Sequence, residues 1–270
     1  MMSSGHISLT AYVGWLDHPT GIVLTTRLSA FNQNYLDSNP LRGTWFGVTA
    51  QGSLTDRVGV LVSAGMLAPT RSRGEDLETV SGTSVGDTLS GTTWGSIEGL
   101  MTYSVSGSLQ AIGGFRWDHF DTRWRFSVVP TFLDFELNAY VPLIGVQLDQ
   151  RFFGGELITR IVGWPGVIPG HMTQTYVGGP SLPAWNREEQ TPNHGYFMEF
   201  FTEYRRTFFG SGSGGVFLRW NSLHAAADES GYDWRVANTT GTGLVTQSFS
   251  RQSWTIGGSL TLDFSLPDFL

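Results

Sequence analysis

Three groupings of side chains in this 270-residue chain have types and spacings that could do chemistry. The stretch Trp117-Asp118-His119-Phe120-Asp121 sets a carboxylate beside an imidazole, the pair a general base needs to activate water. On an extended strand, however, adjacent residues face opposite sides, so Asp118 and His119 would point apart. His6 and Ser8 lie two apart and share a face, with the serine placed as a nucleophile beside a base. Glu199, Glu203 and Arg205 share a face of one segment, and Glu156, Arg160 and Arg219 lie on segments that would adjoin it. Clustered carboxylates could hold a hard cation. Interleaved with three arginines, they read instead as an ion-pair ladder. The acidic run from Arg71 to Asp87, with Glu75, Asp76 and Glu78, lacks the fixed spacing of a calcium loop and reads as solvated. There is no cysteine, no phosphate-cradling glycine loop, no zinc-binding histidine spacing and no nucleophile elbow. No cofactor or metal is expected.

The elements that must position these residues are strands. Charged residues make up 14% of the chain, against roughly 25% in an ordinary soluble domain, while glycine numbers 35 and tryptophan 10. A net charge of −7 argues against a nucleic-acid partner. No apolar run reaches the roughly 18 residues of a membrane helix. Amphipathic helical periodicity is hard to find. Period-two segments are read at 6–16, 22–31, 44–54, 58–68, 94–105, 108–118, 140–150, 156–164, 195–206, 215–223 and 253–264. A typical globular strand has about 5–6 residues. Most of these segments are nearer the roughly 9–11 that a tilted strand needs to cross a bilayer.

The last segment, WTIGGSLTLDF, puts Trp254, Ile256, Leu260, Leu262 and Phe264 on one face and Thr255, Ser259, Thr261 and Asp263 on the other. Nearly every charge within the segments falls on the polar parity: Arg27, Glu98, Arg116, Asp118, Asp149, Glu156, Arg160, Glu199, Glu203, Arg205, Arg219 and Asp263. Burying so many ions in a dry core would cost several kcal/mol for each left unpaired. A lumen lined by them, with the oily parity facing lipid, removes that conflict. From the third segment onward the connections alternate short and long, with long ones at 32–43, 69–93, 119–139, 165–194 and 224–252. Trp45, Trp94, Trp117, Trp164, Trp220 and Trp254 all lie next to a long connection, the level at which amphipathic indoles favour a lipid–water interface.

In these respects the chain resembles bacterial outer-membrane β-barrel proteins as a class, with short periplasmic turns, long external loops and aromatic girdles. The resemblance implies an all-β, single antiparallel up-and-down barrel in the outer membrane, in contact with the lipid bilayer. Bacterial barrels have even strand counts. Eleven segments therefore predict twelve strands, with ten the next count: either a strand lies within 119–139, or an N-terminal strand is absent, or the first hairpin is misread. The opening residues 1–5 read as a tag remnant and 6–270 as the barrel. The expected function is a narrow, charge-lined channel for small hydrophilic solutes. A sealed barrel serving as anchor or partner-binding protein is the alternative, and an omptin-like protease or lipid acyl hydrolase a further one.

Overall fold

Every alternating segment is a strand, and most strands run well past the point where the alternation of polarity stops. The computed structural model describes residues 6–28, 33–68, 72–78, 83–126, 132–177, 184–236 and 239–265. One antiparallel sheet contains β1 (His6–Leu28), β2 (Gln33–Ser53), β3 (Val58–Leu67), β4 (Ser72–Glu78), β5 (Thr83–Ser104) and β6 (Leu109–Phe126). It continues through β7 (Phe132–Phe152), β8 (Gly155–Pro165), β9 (Gly170–Val177), β10 (Ala184–Gln190), β11 (His194–Phe209), β12 (Gly212–Val236) and β13 (Thr239–Ser265). Three pairs of strands are single staves interrupted once. Both β3 and β4 lie between β2 and β5. Both β8 and β9 pair with β7, and both β10 and β11 pair with β12. Among the described residues the ring therefore has ten staves, and β1 paired with β13 closes it.

Ten, not twelve, follows from two departures. Segments 6–16 and 22–31 are not a hairpin: described residues of both lie in β1, joined across a register shift between Asp17 and Ile22. The described residues of 119–139 form no extra strand; they are the upper ends of β6 and β7. The other long connections are also largely strand, so β12 and β13 reach 25 and 27 residues. That is more than twice the roughly 9–11 residues a crossing needs. At the opposite end the turns are tight, and Phe153 and Gly154 take positive φ of 45° and 74° between β7 and β8, as a two-residue hairpin turn requires.

Polarity inverts along β6, β7 and β13. On β13, below Trp254, the outward residues are Ile256, Leu260, Leu262 and Phe264 and the inward ones Thr255, Ser259, Thr261 and Asp263. Above Trp254 the outward parity carries Gln252, Ser250 and Ser248, while Phe249 and Val245 are buried inside. On β6 and β7 the outer face changes from Phe115, Trp117, Tyr140 and Ile144 to His119, Asp121, Arg123, Glu136 and Asp134. The inner face changes to Phe120, Trp124, Leu133, Phe135 and Leu137. Hydrocarbon bathes the lower outer wall and water the upper one, so the greasy side chains change faces at the tryptophan level. Ile256 is 62% exposed and Leu260 58%, whereas Glu203 is 1% exposed.

Candidate functional site

The lower and middle lumen is built by inward residues from nearly every stave. At mid-height Glu199 on β11 accepts hydrogen bonds from Arg116 Nη1 on β6 (3.1 Å), Arg160 Nη2 on β8 (3.0 Å) and Arg219 Nε on β12 (2.9 Å). Arg160 also pairs with Glu98 on β5 at 3.2 Å. Asp118 is bound by Arg116, by Arg251 Nη2 (3.1 Å) and by the Trp94 indole N–H (2.8 Å). Arg251 lies over the Trp94 ring, 3.6 Å from its centroid, and Arg219 lies over Trp45 at 5.1 Å. Among the described residues, four buried arginines (116, 160, 219, 251) pair with three buried carboxylates (Glu98, Asp118, Glu199), and a fourth buried carboxylate, Glu203, lies just below them. The network is close to neutral, as a dry site requires.

Above the network the lumen is mostly aromatic, with two buried polar pairs among the rings: Gln247 donates to Gln174, and Thr92 bonds Thr122 at 2.7 Å. Phe249 stacks on Phe135 with centroids 5.3 Å apart and lies 5.2 Å from Phe120, while Trp124 packs edge-on against Phe135. All four are at most 1% exposed. Below the network Tyr12 donates to Glu203 (3.2 Å) and packs against Phe201 and Phe217. The Trp45 indole lies flat across the chain at Gly47 and Gly65. A Cβ at either glycine would come within 2.3 Å of the ring, so only glycine permits the approach. A polar cavity of about 50 Å³ remains between Tyr12, Ser63, Arg160, Glu203 and Arg205. At roughly 10–15 Å³ each, it has room for a few water molecules. At the turn end the interior opens into wider clefts around Arg205, which pairs with Glu156 at 2.8 Å.

Several expected lumenal residues are gathered here: Glu98, Arg116, Asp118, Arg160, Glu199 and Arg219 make the network, and Glu203 lies just below it, bonded by Tyr12 and Ser259. Asp149, Glu156, Arg205 and Asp263 line the turn end; Asp149 accepts from Gln110 (2.7 Å) and Asp263 from Ser8 (2.6 Å). Arg27 lies outside the described side chains, as does the acidic run 71–87. Arg251 was missed because it falls in 224–252, read as a loop. Its parity with Ser253 and Thr255 continues the polar face upstream and would have revealed it. Of the six expected girdle tryptophans, Trp117, Trp220 and Trp254 face outward, the last two packed together at 6.2 Å. Trp45 and Trp94 do not: they are 7% and 3% exposed inside the lumen, where Trp94 shares parity with Glu98. Trp164 takes the lumenal parity, half-buried, donating to the Val167 carbonyl at 3.0 Å. Outward Trp15, Tyr140 and Tyr196 stand with the girdle instead, 53%, 51% and 43% exposed.

The candidate dyads separate. Asp118 faces the lumen, whereas His119 faces out and bonds Asn138 through Nδ1 at 3.0 Å. His6 is exposed at the turn end, far from the tryptophan level. On the outer wall above the girdle, burial and then nearby Glu136 raise the pKa of Asp121, and Arg123 donates to Asp134 at 2.7 Å. Also on that wall His224 and Ser250 face each other across β12 and β13, Nδ1 to Oγ 2.7 Å. Burial, then the nearby His194, lowers the pKa of His224.

No protein-family model matches the chain, and no curated protein matches it in sequence. Among solved structures it is similar to the outer membrane protease OmpT of Escherichia coli, at 9% identity over 98% of each chain with a TM-score of 0.74. The fold is that of the bacterial outer-membrane barrels. Weaker matches are the translocator domain of the autotransporter NalP from Neisseria meningitidis and OprG from Pseudomonas aeruginosa. For NalP the identity is 11%, over 95% of this chain and 88% of that one, with a TM-score of 0.43. For OprG it is 10%, over 97% of each chain, with a TM-score of 0.40. At these identities the likeness concerns the fold alone, and the chain is an integral outer-membrane barrel by its outward belt and its ring closure.

Proposed function

We propose that the protein is a closed barrel that holds a rigid β-walled tower above the outer membrane as a partner-binding surface, and that it is not a solute channel. The observation carrying this reading is the filled lumen. Seven buried charged groups interlock at mid-height, and Phe120, Trp124, Phe135 and Phe249 pack above them. A charge lining invites a channel only when water separates the charges, and here they touch each other. The protease activity named for the E. coli neighbour is not carried over, because Asp118 and His119 face opposite sides of the wall. Planar-bilayer recording of the refolded protein tests the reading. The expected trace is silent at all voltages that leave the bilayer intact. Stepwise currents that change on Arg160→Ala would overturn it in favour of the charge-lined channel.

A further inference from the structure

The geometry points to a serine–histidine acyl-hydrolase site on the outer wall, formed by Ser250 and His224 and directed at ester bonds of outer-leaflet lipid. It is independent of the closed lumen. The two residues lie opposite each other in the β12–β13 register, and the hydroxyl sits 2.7 Å from Nδ1. That is the distance at which an imidazole takes a proton from a nucleophilic serine. The next strand supplies Tyr196, directly opposite His224 in the register, whose ring stacks on the imidazole at 5.6 Å and 28°. The stack fixes the plane of the base without taking up Nδ1.

The height of the pair decides the substrate. His224 and Ser250 are each four residues above the packed Trp220–Trp254 pair, about 13 Å along the strand at roughly 3.3 Å per residue. With strands tilted by about 40°, the rise is nearer 10 Å. Tyr196, in the same row, is itself an exposed member of the aromatic level. The dyad thus sits on the outer wall just above the tryptophan level, in the hydrated headgroup layer that borders the acyl esters. Its neighbours on this face include Ser222, Ala226 and Ser248, which leave the wall low beside the hydroxyl.

In the reaction, Ser250 Oγ bonds to the ester carbonyl carbon as its proton passes to His224. The C–O bond to the lipid alcohol then breaks, and the alcohol leaves with that proton. Water, deprotonated by the same imidazole, cleaves the serine ester, releases the fatty acid and restores the hydroxyl. Two lipid classes carry such esters in the outer membrane, phospholipid and lipopolysaccharide.

The test uses the full chain refolded in detergent. It is treated with a fluorophosphonate and, separately, mixed into micelles of phosphatidylethanolamine or of lipopolysaccharide. The expected results are a single phosphonyl adduct on Ser250 by peptide mass spectrometry and fatty-acid release from one of the two lipids. Removal of the base in His224→Gln should lower release by about 10²–10⁴-fold. Ser250→Ala should lose adduct and release alike, with heat-modifiable gel migration retained as evidence of folding. An unlabelled wild-type protein with no release from either lipid overturns the assignment, and so does release that survives Ser250→Ala. Bilayer recordings bear on the closed lumen alone, so the two readings fail separately.

Discussion

Neutralising Glu199 is the sharpest probe of whether the lumen is dry. Its carboxylate is 1% exposed and takes hydrogen bonds from three guanidiniums between 2.5 and 3.1 Å. Glu199→Gln keeps the side-chain shape but leaves four buried arginines against three carboxylates. Breaking a buried pair by removing one partner costs about 3–5 kcal/mol. That is a large part of the roughly 5–15 kcal/mol by which proteins are stable. With a urea slope near the upper end of about 1–3 kcal/mol per M, the unfolding midpoint should fall by roughly 1–2 M. Urea titration in detergent, read by tryptophan fluorescence and by gel migration, measures it. Adding Arg219→Met to Glu199→Gln should recover part of the loss, because the pair then leaves together. A midpoint for Glu199→Gln unchanged from wild type would mean that water already solvates the carboxylate. The interlocked lumen, and with it the closed barrel, would then be refuted.

Other outcomes follow from particular contacts. Phe249→Ala removes the ring stacked between Phe135 and Phe120 and should cost about 3–5 kcal/mol by the same titration. Gly65→Ala drives a methyl into the Trp45 ring, and overpacking of this kind costs about 1–3 kcal/mol, visible as a loss of near-ultraviolet tryptophan dichroism. Burial, then His194, lowers the folded-state pKa of His224, so folding disfavours its protonation. Its contribution to stability is therefore present above the unfolded value near 6.5 and is lost as pH falls from there through the folded value. His224→Gln should flatten that part of the stability–pH profile, and an unaltered profile would count against the burial.

The barrel was legible wherever lipid and lumen face each other across a strand, because there the alternation has one sign. WTIGGSLTLDF reads correctly for that reason. It stops being readable at Trp254, where the greasy parity moves inside: Ser250 and Gln252 now face out and Phe249 faces in. A reader following the outward oily face sees the strand end, so the upper halves of β6, β7, β12 and β13 looked like loops. The count of twelve has the same root, since 119–139 seemed long enough to hide a strand. Trp45 and Trp94 misled for a different reason. Their place at strand ends matched a girdle, but parity with Glu98 puts Trp94 inside, where Asp118 takes its N–H. The Ser250–His224 pair had no signal in the sequence at all, because 26 residues separate the two and only the register of β12 with β13 brings them together.

The exchange of faces at the tryptophan level also constrains assembly. To reach its final place, the upper half must carry Asp121, Arg123, Asp134 and Glu136 across a hydrocarbon layer that rejects each of them. Phe249 on β13 meets Phe120 and Phe135 of the β6–β7 hairpin only across the lumen, so this aromatic cluster is complete only in the closed ring. The far end therefore has to cross by a path that shelters those charges from hydrocarbon.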